Sequence, residues 1–370
     1  MLKKLVEATE PPDSRVLAAR LIHSQRCRVT LQDCVSEWRS RSGVSGVSAA
    51  VRLNGRLHWT SDGARAGVLA ADAQFPIYSI TKTLTAICAL RLSEVGAVTL
   101  TDKVKTWCSD LELPDDITIA HLLRHTSGLG DYGPLPEYHD AVRSRPSYPW
   151  RRQQFLDAVL SRGMLFTPGD GWAYSNIGYM LLREVLQRVT GRTFAETVHD
   201  FVVAPLALQT TRVVETIDGW SACVPGYGPE VDVDGRVVDV RRVYHPGWCA
   251  PGVVVSTAED VTLVIDALLA GQILAPPALK EMLTLVPIPA DAPGAAYRYG
   301  MGIASDGASP RGLNYGHGGG GPGYDLDVTI LPDSPLGRLA IAVFVSNSGG
   351  RRWSQECEER LLSCLLDDVR

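Results

Sequence analysis

The chain has 370 residues, 45% of them hydrophobic and 21% charged, ordinary values for a soluble, enzyme-sized protein of one or two domains. A net charge of −5 with no basic cluster excludes nucleic acid as an expected partner, and no run of eighteen apolar residues offers a membrane span. Glu7, Glu10, Pro11 and Pro12 follow Lys3 and Lys4 too closely for a secretion signal, so a cytoplasmic protein is expected. Its eight cysteines are then expected as thiols, and without a C-x-x-C pair no structural zinc is expected.

In chain order, residues 13–40 read as helix, short break, helix, with Asp13 or Ser14 capping the first. "VSGVSAAVRLNGRLHWTSDG" (44–63) reads as a hairpin whose two strands meet at Asn54-Gly55, a pair suited to a type I′ turn. Residues 79–95 are helical, with Gly96 as C-cap. From about 115 to 220 the pattern is mainly helical, broken by "GLGDYGPLPEY" (128–138), and residues 258–270 and 276–285 give two more helices. "GYDLDVTILPDSPLGRLAIAVFVSNSGG" (323–350) holds two strand-like runs, and "WSQECEERLLSCLLDDV" (353–369) closes as an amphipathic helix.

Strands therefore cluster at both ends of the sequence with helices between them. The economical fold is α+β: an antiparallel β-sheet flanked by N- and C-terminal helices, with a mostly helical domain inserted. The expected boundaries are 1–78 and 250–370 for the sheet domain and 79–249 for the helical one, with a site at their junction.

Within "FPIYSITKTLTAICALRLSEVG" (75–96), Lys82, one of only six lysines, falls on an apolar helix face three residues after Ser79. Positions i and i+3 share a face, so the two side chains can meet. Alone, the pair is equally an N-cap serine followed by a snorkelling lysine. Two rarer patterns accompany it: Tyr174-Ser175-Asn176, using one of four asparagines, and His317-Gly318-Gly319 directly before a strand. In this order, Ser-x-x-Lys, Tyr-x-Asn and His-Gly-Gly resemble the three motifs of penicillin-recognising serine enzymes, in particular the class C β-lactamase, DD-peptidase and family VIII esterase branch. "LLRHTSGL" (122–129) and "APGVVVSTAEDV" (250–261) are similar to further stretches of that family. The resemblance runs from about residue 43 to 348.

It implies a serine acyl-enzyme chemistry without a cofactor. A serine hydroxyl needs a base beside it. Lys82, if burial lowers it from an ordinary pKa of about 10.4, and Tyr174, as a phenolate beside an ammonium, are both candidates, and the alternatives stay open. The Ser79 N–H and, by matching the third motif, that of Gly320 are the expected oxyanion donors. Asn176, His317, Gly318 and Gly319 are expected against the substrate, and Tyr132, Trp248 and Trp172 are candidate pocket walls. Relatives with β-lactamase activity typically carry lysine, then a hydroxyl residue, where His317 and Gly318 stand. A histidine with a pKa of about 6.5 holds a carboxylate less well at neutral pH, which favours esters or neutral amides as substrates. Transfer of the acyl group to an amine or alcohol, and a noncatalytic ligand-binding domain, are the rival functions.

Other signals are weaker. "GGGGPG" (318–323) satisfies G-x-G-x-x-G but precedes a strand instead of opening a helix. His121 and His125 have metal-ligand spacing without an acidic partner, and a structural histidine ending a helix is the better reading. No G-x-S-x-G elbow exists.

Overall fold

"RLAIAVFV" (338–345) has no polar alternation after its first residue, although antiparallel strands usually turn one face to water. The computed structural model, which describes residues 30–63, 67–70, 72–289 and 297–367, shows that both faces of this strand are covered. The strands in chain order are β1 (Val47–Leu53), β2 (Arg56–Thr60), β3 (Phe75–Pro76), β4 (Arg212–Val214), β5 (Tyr227–Gly228), β6 (Val238–Asp239) and β7 (Val253–Ser256). They continue with β8 (Val286–Pro287), β9 (Tyr297–Tyr299), β10 (Ala304–Asp306), β11 (Tyr315–Gly321), β12 (Tyr324–Ser334) and β13 (Gly337–Val345). Eight of them form an antiparallel sheet in the order β2-β1-β13-β12-β11-β10-β9-β8. The chain ends thus supply the sheet. Asn54 (φ 48°) and Gly55 (φ 86°) both adopt the left-handed conformation that a type I′ turn requires.

Among the described residues the α-helices are α1 (Leu31–Ser42), α2 (Thr81–Glu94), α3 (Ile119–Arg124), α4 (Pro136–Ser144), α5 (Arg152–Leu160), α6 (Asn176–Thr190), α7 (Phe194–Val198), α8 (Ala258–Leu269), α9 (Pro276–Leu283) and α10 (Trp353–Leu366). On one face of the sheet, α1 and α10 cover Leu339, Ile341, Val343 and Val345 with Val35, Trp38, Leu361 and Leu365. The alternate residues Ala340, Ala342 and Phe344 belong to a larger core shared with α2, α6 and α8. Strand alternation, covered twice, explains the unbroken apolar run. Leu361 is fully buried, so Leu361→Ala should lower the unfolding free energy by about 2–5 kcal/mol, read from the urea midpoint at unchanged slope.

The expected helix beginning near Asp13 lies outside the described residues. α1 is the second of that pair, capped by Thr30 in a box with Asp33 and ended by Gly43 at φ 74°. One expectation is corrected. Cys34 of α1 and Cys364 of α10 are joined as a disulfide, while Cys88, Cys108, Cys223, Cys249 and Cys357 are thiols. The pairing links residues 330 apart in sequence through helix packing on the sheet, which spacing along the chain does not reveal. Among the described residues no helix is long and apolar enough to cross a membrane.

Candidate active site

Ser79 sits in a single 3₁₀ turn, Tyr78–Ile80, immediately before α2 and not inside the helix. The turn is tight enough to drive Tyr78 to φ 40°, a left-handed conformation that costs a non-glycine residue of order 1–3 kcal/mol. Packing holds it there. The Tyr78 hydroxyl donates to the Pro322 carbonyl at 2.7 Å, and its ring lies beside Trp220 and Tyr324. Strand β11 presses against the same turn. A Cβ on Gly319 would overlap the Ile77 carbonyl oxygen, and one on Gly321 would come within 2.5 Å of the Tyr78 ring. Two glycines of β11, Gly319 within the third motif and Gly321 just after it, are therefore needed to seat Ser79.

Two groups meet at the Ser79 hydroxyl, Lys82 from the next turn and Tyr174 from 95 residues away. Lys82 Nζ lies 3.2 Å from Ser79 Oγ and donates to Asn176 Oδ1 at 2.7 Å, while the Tyr174 hydroxyl donates to Ser79 Oγ at 2.8 Å. Lys82 is only 2% exposed. Burial lowers its ammonium to a pKa of about 8, against the opposing pull of the Asp131 carboxylate. The Tyr174 phenol moves the other way, raised above its ordinary value by burial although the Ser79 hydrogen bond works against that shift. It is a phenol, not a phenolate, at neutral pH.

Asn176 opens α6, whose N-cap is Ser175: the Ser175 hydroxyl accepts from Gly178 N at 3.0 Å and donates to the Gly130 carbonyl at 2.8 Å. Asp131 then fixes the asparagine by accepting from its backbone N at 2.9 Å and its Nδ2 at 3.1 Å. That clamp orients Oδ1 toward Lys82. Sequence reading missed Asp131, whose only trace is its place in the "GLGDYG" loop. His125 ends α3 in the left-handed conformation (φ 60°), as expected of a structural histidine, and its Nδ1 accepts from Ser175 N. Its ring stacks 4.4 Å from that of Tyr174.

The third motif, His317-Gly318-Gly319, lies on strand β11, and the Ser79 turn packs on that strand. A profile of the beta-lactamase family matches residues 31–361. The chain belongs to the beta-lactamase family. Among curated relatives of this beta-lactamase family member, penicillin-binding protein 4* of Bacillus subtilis is 28% identical over 271 residues, 69% of this chain. The match spans only 57% of that relative's own length. Esterase EstB of Burkholderia gladioli is 28% identical over 66% of this chain and 70% of its own. Among solved structures, a D-stereospecific amidohydrolase from Streptomyces sp. superposes with a TM-score of 0.75 at 28% identity, covering 90% of this chain and 97% of that one. The D-amino acid amidase of Ochrobactrum anthropi SV3 gives 0.76 at 25% identity, covering 92% and 99%.

The remaining expected site residues of this family member divide by environment. Gly318 and Gly320 are exposed on β11, and nothing lies within 4 Å of a Cβ built on Gly320. His317 is buried, its Nδ1 donating to the Gly318 carbonyl at 2.6 Å and its Nε2 accepting from the Tyr299 hydroxyl at 2.9 Å. Both nitrogens are spent within the protein. Burial, then the Lys82 charge, lower its pKa to about 4, so it is neutral. Tyr132 and Trp248, expected in the pocket wall, are 3% and 1% exposed and act as packing anchors. The Tyr132 hydroxyl accepts from Ala250 N at 3.1 Å, and the Trp248 indole donates to the Pro146 carbonyl at 2.8 Å. Trp172 packs against His125 and Tyr299 beside the second motif.

Proposed function

We propose that this chain is a serine hydrolase that cleaves small esters or amides through an acyl-enzyme on Ser79. The observation that carries this reading is the Ser79 hydroxyl held at hydrogen-bond distance from both Lys82 and Tyr174. The two differ in protonation, and this separates their roles. Neutral Lys82 takes the Ser79 proton as Oγ attacks the carbonyl carbon. The Tyr174 phenol gives its proton to the departing amine or alkoxide and recovers one from the Lys82 ammonium. Water then attacks the acyl-enzyme by the reverse transfers, and Ser79 is released.

The N–H groups of Ser79 and Gly320 are assigned to the oxyanion. The open space above Gly320 lets substrate reach that backbone. Asn176 holds Lys82 from the other side and offers its amide to the substrate. Because His317 is neutral and fully bonded, the third motif supplies no cation for a substrate carboxylate. Esters and neutral amides are favoured over carboxylate-bearing β-lactams for that reason. The relatives named as an esterase and as amidases support the same substrate class.

Incubation with p-nitrophenyl butyrate should add one butyryl mass to the protein, mapped to the peptide containing Ser79. Absence of an adduct, or an equal adduct on Ser79→Ala, overturns the reading. Including an amine in the same incubation reports the fate of the acyl group: product amide in place of acid marks transfer.

A further inference from the structure

An ammonium and a carboxylate face each other across the Asn176 amide. Lys82 Nζ lies 2.7 Å from Asn176 Oδ1, and Asp131 Oδ2 lies 3.1 Å from Asn176 Nδ2. An amide has one accepting end and one donating end, so only this orientation satisfies both neighbours. The carboxylate is itself held in place: its Oδ1 accepts from the backbone N of Tyr132 and of Asn176, each at 2.9 Å. Gly133 makes room for it, since a Cβ there would stand 2.9 Å from Asp131 Oδ2. These bonds are all accepted by Asp131, as suits a carboxylate and not a carboxylic acid. Burial pushes its pKa up, and the N–H bonds from Asn176 and the Lys82 charge work against that.

The other titratable groups around Lys82 are uncharged at neutral pH. The rings of Tyr174 and Tyr179 lie 4.7 and 5.5 Å from its Nζ, with Tyr299 beside them, and burial raises all three phenols. Burial also raises the Cys249 thiol, to about 11, and lowers the imidazoles of His125 and His317, the latter to about 4. Among the described residues Asp131 is therefore the negative charge that this ammonium faces. The amide orientation matters equally to the neutral amine. Its single lone pair must point at the Ser79 hydroxyl if it is to take the proton. The Asn176 carbonyl only accepts, so it engages an N–H of Lys82 and leaves that lone pair free. An inverted amide would donate to the lone pair and compete with Ser79.

We propose that Asp131 is a positioning residue for this reaction: it locks the Asn176 amide so that the carbonyl meets Lys82, and it supplies the negative charge opposite the ammonium. The inference rests on Ser79 being acylated with Lys82 as its base. The p-nitrophenyl butyrate adduct and Lys82→Met test that premise separately.

Asp131→Asn keeps the size of the side chain and an accepting oxygen for the two backbone N–H groups. It sets one NH₂ against another, which frees Asn176 to invert. With p-nitrophenyl butyrate, the rising limb of kcat/KM, at about 8 in the wild type, should move toward acid because the ammonium has lost its counter-charge. The plateau above the limb should fall about 10²-fold through misplacement of the base. The exchange Asp131→Asn with Asn176→Asp restores donor against acceptor and brings the carboxylate next to Lys82. Its limb should therefore move to the alkaline side of 8. The chain has only six lysines, so lysine labelled with carbon-13 at Cε follows the same titration by NMR in variants too slow to assay. Loss of one signal in Lys82→Met assigns it. The exchange variant, whose hydrogen bonds are complementary, carries the test if Asp131→Asn does not fold. Movement in opposite directions supports the proposal. A titration of Lys82 unmoved by Asp131→Asn, or moved toward acid by the exchange, overturns it, and the carboxylate then only ties its loop to α6. Ser79 acylation and a limb lost in Lys82→Met, with the Asp131 variants unmoved, remove this proposal alone.

Discussion

Replacing Lys82 with methionine is expected to lower kcat/KM for a p-nitrophenyl ester by about 10²–10⁴-fold, the usual contribution of a positioned general base. The wild type should gain activity with rising pH, because Lys82 accepts the Ser79 proton only when neutral and its pKa lies at about 8. The rising limb should centre there and vanish in the variant. A variant that retains a limb near 8 assigns that titration to another group. Stability follows the same pKa. Below about 8 the lysine is protonated in both folded and unfolded chains, so it makes stability no function of pH. Between about 8 and its ordinary 10.5 the unfolded chain binds more protons, so this group makes the wild type more stable as pH rises. Lys82→Met should lack that increment in pH-dependent urea unfolding.

Gly319→Ala is expected to damage catalysis without touching any reacting group. Its Cβ would overlap the Ile77 carbonyl, a backbone atom two residues before Ser79, and backbone cannot swing aside as a side chain does. The turn must shift away from β11, taking Ser79 from Lys82 and Tyr174. A displacement near 1 Å costs about 10²-fold in rate, and the overpacking costs about 1–3 kcal/mol of stability. Gly320→Ala is the comparison for stability: with nothing within 4 Å of its Cβ, the unfolding midpoint should stay within about 0.5 kcal/mol of wild type. Equal destabilisation by the two alanines removes the argument that Gly319 is there to seat the turn.

Much of this site is legible in residue order because its chemistry is local. Ser79 and Lys82 are three residues apart, a spacing that any helical turn converts into proximity, and Tyr174 and Asn176 announce themselves through the rarity of their pattern. The β1–β2 hairpin is equally local, since only residues tolerating positive φ at 54 and 55 close it. The long apolar strands β12 and β13 and the amphipathic α10 follow from periodicity.

Other features depend on what lies across space. The proposal of Lys82 as base rests on tertiary structure: burial lowers a lysine and raises a tyrosine, and sequence does not give the degree of burial of either. The same holds for His317, where the hydrogen bond to Tyr299, eighteen residues away on β9, removes it from the substrate. Asp131 and the disulfide between α1 and α10 share this origin. Each brings together side chains whose separation along the chain carries no information about their distance. Sequence alone therefore determined which hydroxyl, amine and phenol are proposed to react, and the sheet beside them. Only the folded chain decided which of those groups holds a proton, because protonation is set by solvent exclusion and neighbouring charge, both properties of the assembled interior.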